Sequence, residues 1–369
     1  MTNRTLIVIV LCVGQAHWCT SQSTTSTKDE KKDYLSLTFE NDLFYFQKPS
    51  DQYYTNGFKY ERVGPGYEKR NYLLNKLLLG FRKKKRPTAL RNYGFFFGQN
   101  IYTPTDITIS DIQTDDRPYA GWLYFGVKKM STDTARNIRL TSELYIGIIG
   151  PYSFAGETQA FVHKLTDSAP PQGWDNQIDS DLGILYANRF EFQLVPFPKA
   201  PRTYIRVNES TKVRKNYFEV ISFGELQVGT IYNNVGGGLM LRAGLLTPYL
   251  HSYNSLSTTI PSFLLSESKK IQKILRNLFD IIPEAFIFAR PQVRALAYNS
   301  MMQGGVLNPE SVYTIKKDDV HAFYSQIDYG LAIRIRSVTF SLYQSIRTKE
   351  FAFAKGAHRW GGVNILINY

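Results

Sequence analysis

YLSLTFEND, residues 34–42, alternates apolar and polar side chains. This period of two is typical of a β-strand with unlike faces, because successive side chains point to opposite sides. One face carries Leu35, Leu37 and Phe39, and the other carries Ser36, Thr38, Glu40 and Asp42. The same alternation recurs at 53–63 and, less regularly, at 359–369. A polar face this regular does not suit the core of a β-sandwich.

The number of alternating stretches predicts the fold class. Twelve can be counted: 34–42, 53–63, 92–102, 118–130, 137–150, 182–197, 216–230, 236–250, 284–302, 321–336, 338–348 and 359–369. An even number of aromatic-rich strands of about ten residues is typical of a transmembrane antiparallel β-barrel, which pairs every backbone group within the lipid. We therefore expect an all-β barrel of about twelve strands with short helices in its loops. A soluble, lipocalin-like all-β domain is the alternative.

The N-terminal residues predict export. Arg4 precedes an apolar run at 6–13, and Thr20 and Ser21 follow, as in a secretory signal peptide spanning 1–21. Cys12 and Cys19 are the chain's 2 cysteines, and both lie in this segment, so no internal disulfide is expected in the mature protein. Residues 22–33 form a polar lead that we expect to be flexible, and the barrel should span 34–369.

The composition limits the functional classes. With 43% hydrophobic and 14% aromatic residues, the chain is too apolar to be disordered. Its longest apolar run is far shorter than the roughly 18 residues that a membrane-spanning helix requires. The formal net charge of +13 favours anionic partners, among which nucleic acid is a poor candidate for an exported protein.

Strand parity assigns each loop to one end of the barrel. If the N-terminus lies on the inner side, the loops 43–52, 103–117, 151–181, 303–320 and 349–358 share the outer rim. The short connections at 131–136 and around Ser337 then lie on the inner rim. Insertions at about 64–91 and 252–283 carry leucines and isoleucines at helical spacing, which predicts amphipathic helices near the inner mouth. Such helices either contact the membrane surface or lie in solvent or the lumen.

A candidate metal site lies where the first strand meets the second. Asp42 ends the first strand, and Thr55 and Gly57 begin the second, so the hairpin brings them together on the outer rim. The alternation predicts that Asp42 and Thr55 point inward. A carboxylate and main-chain carbonyls are the hard oxygen ligands that Ca²⁺ prefers. The alternative is that these residues only form turns.

A candidate general base lies in the third outer loop. Gln159 and His163 are four residues apart, so one helical turn places them on the same face. Imidazole titrates near neutral pH and can remove a proton from water. The sequence has no Gly-x-Ser-x-Gly elbow and no cysteine nucleophile in its mature part, which favours metal-assisted attack by water. A rim histidine without a catalytic role is the alternative.

These segments together resemble the lipid A 3-O-deacylase family of outer-membrane proteins. The resemblance rests on Glu40–Phe44, Tyr53–Gly57, Gly98–Pro104, Asp116–Trp122, Gln159 with His163, and Gly173–Gln177. The family implies a twelve-stranded barrel that hydrolyses the ester-linked 3′-acyloxyacyl chain of lipid A, part of lipopolysaccharide, in a Ca²⁺-dependent reaction. No His-x-Ser-Asn-Gly stretch is present, which disfavours an outer-membrane phospholipase A.

The resemblance also implies roles for single residues. His163 matches the general base, Asn41 and Gln159 order the catalytic site, and Asp42 binds calcium with main-chain oxygens of Thr55 and Gly57. The chain departs from the family in its acidic second outer loop, so Arg117 or Lys164 is expected to recognise phosphate, unless the substrate differs from the usual lipid A. Arg117 paired with Asp175 inside the barrel is the structural alternative.

Two further expectations concern partners and the competing function. The terminal Tyr369 resembles the aromatic end that outer-membrane barrels present to the barrel assembly machinery. A non-catalytic outer-membrane barrel, porin-like or structural, is the functional alternative.

Overall fold

The computed structural model describes residues 33–44, 53–68, 76–82, 85–86, 89–194, 204–206, 212–214, 216–247, 249–251, 282 and 284–369. The predicted signal peptide and all but the last residue of the predicted lead lie outside the described residues. The same is true of nearly all of the insertion at 252–283. In the insertion at 64–91, residues 76 and 77 are helical, and the preceding part of the predicted helix lies outside the described residues.

Twelve strands form a closed antiparallel barrel, which confirms the predicted fold class. They are β1 (Tyr34–Asn41), β2 (Tyr53–Gly64), β3 (Leu90–Thr103), β4 (Ala120–Asp133), β5 (Ile138–Ile149), β6 (Asp181–Leu194), β9 (Asn216–Gly229), β10 (Tyr232–Leu246), β11 (Glu284–Asn299), β12 (Phe323–Ile335), β13 (Val338–Arg347) and β14 (His358–Asn368). The barrel closes where β1 pairs with β14, Tyr34 opposite Asn368. A separate hairpin, which was not expected from the sequence pattern, consists of β7 (Tyr204–Arg206) and β8 (Lys212–Arg214).

Among the residues that the structure describes, two short α-helices are seen over their full length in the loops. Helix α1 (Ala155–Thr166) connects β5 to β6, and α2 (Ser300–Gln303) follows β11. A 3-10 turn, Asp42–Phe44, follows β1 directly. Within the described part of the chain, no helix combines the length and the hydropathy that a membrane-crossing helix needs.

The predicted assignment of loops to the two rims is confirmed by the topology. Odd-numbered strands from β1 to β13 in the closed barrel run in one direction, and each ends at the same rim. We call this the outer rim; it carries the turn after β1, the loop 104–119 and α1. The short connections 134–137 and 336–337 lie on the opposite rim. The candidate residues Asp42, Thr55 and His163 therefore all lie near one end of the barrel.

The wall separates two environments, which explains the alternation in the sequence. Large apolar side chains point outward and are exposed, including Phe97, Leu123, Phe125, Ile146 and Ile184. Charged side chains point into the lumen, where Lys128 Nζ lies 2.6 Å from Glu61 and 2.9 Å from Glu143. An apolar exterior with a polar interior is the arrangement that a lipid-embedded barrel requires. The lumen also contains an aromatic cluster, Tyr54, Tyr102, Trp122, Tyr124 and Trp360.

Candidate functional site

Side-chain direction along β3 shows which residues face away from the lumen. Asn100 and Tyr102 line a cavity inside the barrel. Because direction alternates along a strand, Gln99, Ile101 and Thr103 point outward. Thr55 Oγ1 lies 2.6 Å from Thr103 Oγ1, so Thr55 also lies on the outer face of the wall.

The prediction that Thr55 points inward is therefore wrong. The pairing between β2 and β3 passes from Tyr54–Tyr102 directly to Asn56–Ile101 and skips Thr55. This β-bulge adds one residue, and it reverses the side-chain direction expected from simple alternation.

Gly57, two residues beyond the bulge, faces the lumen instead. A Cβ atom at Gly57 would lie 1.8 Å from the Tyr54 hydroxyl oxygen and 3.3 Å from Glu40 Oε2. Since Glu40 and Tyr54 line the lumen, Gly57 lies on the opposite side of the wall from Thr55. A role of Gly57 in binding metal stays a prediction. Because glycine has no side chain, the ligand would be its main-chain carbonyl oxygen.

The turn Asp42–Phe44 leaves the strand and packs on the outside of β14. Trp360 points into the lumen, and so does Gly362, which faces the lumenal Tyr343. Gly361, between them, therefore faces outward. A Cβ atom at Gly361 would lie 2.5 Å from the Phe44 carbonyl oxygen. Gln344 Nε2 donates to the same carbonyl at 2.8 Å. The alternation that predicted an inward Asp42 thus ends at Asn41. Asp42 is buried, with 1% of its surface exposed.

Helix α1 lies against the outer face of the wall. Gly121 on β4 points outward, because its neighbour Trp122 belongs to the lumenal cluster. A Cβ atom at Gly121 would lie 2.1 Å from Ser153 Oγ and 2.3 Å from Ala155 Cβ. Gln99 Nε2 on β3 donates to the Ser153 carbonyl at 2.7 Å. The glycine thus allows the start of α1 to contact the wall directly.

The buried face of α1 carries both candidate catalytic side chains. Ala155, Gln159 and His163 recur at spacing four and are 1%, 2% and 5% exposed. Phe161 and Leu165, in contrast, are 63% and 47% exposed. The helix therefore presents Gln159 and His163 to the barrel and an apolar face away from it.

Hydrogen bonds show which ring nitrogen of His163 is the donor and how the Gln159 amide is oriented. His163 Nδ1 lies 2.5 Å from the Ala169 carbonyl oxygen, which can only accept. Nδ1 therefore carries the proton, and Nε2 presents the lone pair that a base needs. Gln159 Oε1 accepts from Trp174 Nε1 at 2.8 Å, which orients the amide. Gln159 Nε2 is buried and has no hydrogen-bond partner among the described residues.

The strand register places the end of β1 three strands away from the point where α1 begins. Asn41, Asn56, Ile101 and Gly121 are consecutive partners across β1 to β4, and all four lie on the outer face. Three strand spacings separate Asn41 from Gly121 by about 14 Å. Helix α1 begins over Gly121, packs on β4 and β3, and rises about 12 Å between Ala155 and His163. Since β3 lies between β4 and β2, α1 and the end of β1 lie on the same part of the outer face, near the outer rim. We call the space between α1 and the wall the wall groove.

Of the two predicted substrate residues, Arg117 lies elsewhere and Lys164 lies on α1. Arg117 lines the lumen, with 1% exposure, and its Nη1 lies 3.4 Å from Glu350 Oε2. The structure therefore does not place Arg117 with His163 in the wall groove. The predicted pair of Arg117 with Asp175 is wrong, because Asp175 is exposed and Glu350 takes that position. Lys164 is exposed on α1, beside the buried face.

The donor chemistry near the end of β1 fits a hard cation. The described residues contain no cluster of three or more His, Cys, Asp or Glu side chains suited to a metal. The end of β1 and the start of β2 offer instead the buried Asp42 carboxylate and the main chain of Thr55, which the bulge removes from regular pairing. Carboxylate and carbonyl oxygens are ligands that Ca²⁺ accepts, with water completing the coordination.

Two structural contributors were not identified as such from the sequence. Trp174 lies in the Gly173–Gln177 motif, but its bond to Gln159 depends on a loop returning across α1. Gly121 lies in the Asp116–Trp122 motif. A glycine inside a strand is a signal for close backbone approach, so its position could have indicated that something packs on β4.

Comparison with known proteins agrees with this architecture. The family model for outer membrane protein LpxR matches residues 6–369. The solved structure of LpxR from Salmonella typhimurium has a TM-score of 0.59 at 17% identity, covering 90% of this chain and 99% of that chain. The β domain of the Bordetella autotransporter Brka has a TM-score of 0.39 at 8% identity, with coverages of 91% and 98%. None of the curated proteins matches the sequence.

The family match spans nearly the whole chain, and the similarity to the Salmonella protein extends to the closed barrel fold. The apolar outer wall and polar lumen of this chain's barrel suit a location in the outer membrane. The chain is therefore an outer membrane protein, and it belongs to the LpxR family.

Proposed function

We propose that this protein is a lipid A deacylase that hydrolyses the ester-linked 3′-acyloxyacyl chain of lipid A in the outer leaflet, with Ca²⁺ as cofactor. The observation that carries this proposal is the position of Gln159 and His163 on the buried face of α1, against the outside of the barrel wall. An acyl ester of a membrane lipid lies beside this wall, and it does not have to enter the lumen. Family membership supports the same reaction.

His163 is the proposed general base. Its Nδ1 proton is donated to the Ala169 carbonyl, so Nε2 can accept a proton from water. The water oxygen then bonds to the ester carbonyl carbon, and the carbonyl oxygen gains negative charge. When the carbon–oxygen ester bond breaks, Nε2 returns the proton to the sugar oxygen. The products are the fatty acid and the free sugar hydroxyl.

Gln159 and Asn41 are proposed to order the reacting groups. Gln159 Nε2 has two N–H donors, and the bond from Trp174 to its Oε1 sets their direction. One such donor aimed at the developing oxyanion is worth roughly 10²–10³-fold in rate. Asn41 ends β1 on the outer face of the wall, where its amide can orient water or substrate.

Asp42 is the proposed calcium ligand, with main-chain oxygens of Thr55 and Gly57. When bound, Ca²⁺ supplies positive charge that stabilises the oxyanion. Lys164 is exposed beside the wall groove and is proposed to contact a lipid A phosphate. Tyr369, 52% exposed at the C-terminus, is proposed as the residue that the barrel assembly machinery recognises.

The proposed function is tested by mass spectrometry of lipid A from cells that express the protein. We expect wild-type membranes with added calcium to lose the mass of one acyloxyacyl group, and a calcium chelator to prevent the loss. Asp42→Asn keeps the shape of the side chain and removes its charge, so we expect it to require at least tenfold more calcium for the same conversion. Unchanged lipid A in calcium-supplemented wild-type membranes would support the non-catalytic barrel instead.

Trp174→Phe tests whether the indole orients the catalytic amide. Phenylalanine keeps the ring next to Tyr119 but removes the N–H that donates to Gln159. Loss of orientation should lower the deacylation rate by about 10- to 100-fold. The matched experiment is the same substitution in a Gln159→Ala background, where we expect no further loss. A full additional loss there would show that Trp174 acts independently of Gln159.

A further inference from the structure

The lumen contains two cavities that share part of their lining. The outer cavity, of about 270 Å³, lies beside Arg117 and Glu350. The inner cavity, of about 350 Å³, lies beside Lys128 and Glu143. Either volume is many times the roughly 10–15 Å³ that one water molecule needs, so each can hold solvent and small solutes.

Both cavities are lined by charged side chains of both signs. The outer cavity is lined by five arginines and three glutamates: Arg117, Arg189, Arg290, Arg294 and Arg347, with Glu40, Glu225 and Glu350. The inner cavity is lined by four basic and four acidic residues: Lys128, Arg139, Arg189, Arg290, Glu61, Glu143, Glu191 and Glu225. Asp328, which bonds to Arg290 at 2.8 Å, reduces the outer surplus from two positive charges to one. Lys59, which lies 3.4 Å from Glu61 and 3.7 Å from Glu143, adds one positive charge beside the inner cavity, so both cavities have a small positive surplus.

One carboxylate in the outer cavity is shared by two guanidinium groups. Arg347 lies 3.0 Å from Glu350, and its Nε and Nη2 both donate to Gln326 Oε1, at 2.9 and 2.8 Å. Arg117 makes only the longer contact of 3.4 Å to Glu350. Arg117 Nε is buried and has no hydrogen-bond partner in the described part of the chain. A buried guanidinium with an unused donor is costly unless a further anion or water binds it.

Arg117 is fixed in this position by its surroundings. Its guanidinium lies 4.2 Å from the centre of the Tyr102 ring, and its main-chain N–H donates to Asp116 Oδ1 at 2.7 Å. The Tyr313 hydroxyl donates to the Asp116 carbonyl at 3.0 Å. The unused donor is therefore part of a positioned side chain.

We propose that the outer cavity binds a small oxyanion of the phosphate class, with Arg117 and Arg347 as its main ligands. A guanidinium presents planar N–H donors that match tetrahedral oxyanions, and such charge-assisted bonds are stronger than neutral ones. The cavity also offers the side-chain amides of Asn100 and Asn299 as further donors. The ligand is either free phosphate or a phosphorylated sugar of the surrounding glycolipid.

This site is separate from the proposed deacylation. Arg117 faces the lumen, whereas His163 lies on the outer side of the wall. Binding can therefore be measured whether or not the protein hydrolyses lipid A. His163→Ala should retain the oxyanion affinity of the wild type, which separates a failure of this inference from a failure of the proposed function.

The test is calorimetric titration of the full protein in a non-ionic detergent, freed of phosphate and sulfate. Inorganic phosphate and glucosamine 1-phosphate are the two probes, and sodium chloride at equal ionic strength is the blank. We expect one-to-one binding, weakened at least tenfold in Arg117→Gln. Glu350→Gln removes the competing carboxylate, so its affinity should rise severalfold. Arg359→Gln removes an exposed arginine of β14 and should change nothing.

The outcomes separate the two sources of the ligand. Tighter binding of inorganic phosphate assigns the site to the free ion, and tighter binding of the sugar phosphate assigns it to the glycolipid. Absence of binding by both probes in the wild type overturns the proposal, as does equal affinity in Arg117→Gln. If Arg117→Gln does not fold, Glu350→Gln decides, because an unchanged or weaker affinity there contradicts the proposed role of charge.

Discussion

His163→Ala is expected to lower the deacylation rate by about 10²–10⁴-fold, the contribution that general-base catalysis typically makes. This corresponds to roughly 2.7–5.4 kcal/mol of lost transition-state stabilisation. The physical reason is that the Nδ1–Ala169 carbonyl contact assigns the donor role to Nδ1, which leaves Nε2 as the ring nitrogen that can accept a proton from water. Alanine removes the base but leaves the helix, since it is a strong helix former.

The measurement is the rate of fatty acid release from purified lipid A in detergent, at saturating calcium. The matched control is His321→Ala. His321 also lies near the outer rim, and its Nδ1 lies 3.2 Å from the Lys349 carbonyl oxygen, so the control removes a similarly bonded imidazole. We expect the control to retain wild-type activity. A His163→Ala rate within threefold of the wild type would exclude His163 as the base.

The barrel could be predicted from sequence because its wall separates two environments. In β1, Phe39 points towards the lipid side and Glu40 accepts hydrogen bonds from Tyr54 and Tyr343 in the lumen. In each strand, apolar lipid-facing residues alternate with polar lumen-facing residues, so the sequence shows a period of two. Parity then assigns the loops to the two rims, which placed α1 and the end of β1 at the same end.

The side of the wall on which Thr55 and Asp42 lie could not be predicted in the same way. The bulge at Thr55 adds one residue to β2, and a single added residue moves a side chain to the other face. The turn at Asp42 ends the alternation one residue earlier than expected. Local irregularities of this kind leave no periodic signal, although they decide whether the candidate residues face the lumen or the lipid.

Ion-pair partners that are distant in the chain could not be predicted from the sequence either. Arg117 could be recognised as a charged residue near the outer rim, but its contact with Glu350 joins residues 233 positions apart. Whether Arg117 pairs with Glu350 or with Asp175 depends on how closure of the barrel brings the last outer loop next to the second outer loop. One sequence without its three-dimensional arrangement does not contain that information.

Gly121→Leu is expected to abolish most of the activity without preventing formation of the barrel. Its Cβ would lie 2.1 Å from Ser153 Oγ and 2.3 Å from Ala155 Cβ. These atoms cannot move aside easily, because Ser153 Oγ donates to the Gly150 carbonyl at 2.6 Å and Gln99 binds the Ser153 carbonyl. Helix α1 must therefore shift outward from the wall. A displacement of about 1 Å at the catalytic groups can cost 10²-fold in rate.

Gly224→Leu provides a matched control for the same change. Gly224 points outward on β9, since Glu225 and Gln227 line the lumen, and the nearest atom to its added Cβ is 4.0 Å away. We expect this variant to keep wild-type activity. The fraction of folded barrel, measured by the migration of unheated samples in gels, should be similar in both variants.

Combining the substitution with His163→Ala tests the cause of the loss. If Gly121→Leu acts by moving α1, it displaces a base that the double variant lacks, so its additional effect on the rate should be much smaller than in the wild-type background. An equal loss in both backgrounds would place the effect of Gly121 elsewhere than on His163. Wild-type activity in Gly121→Leu would show that the reaction does not need α1 pressed against the wall, which would remove the structural basis for the wall groove as the active site.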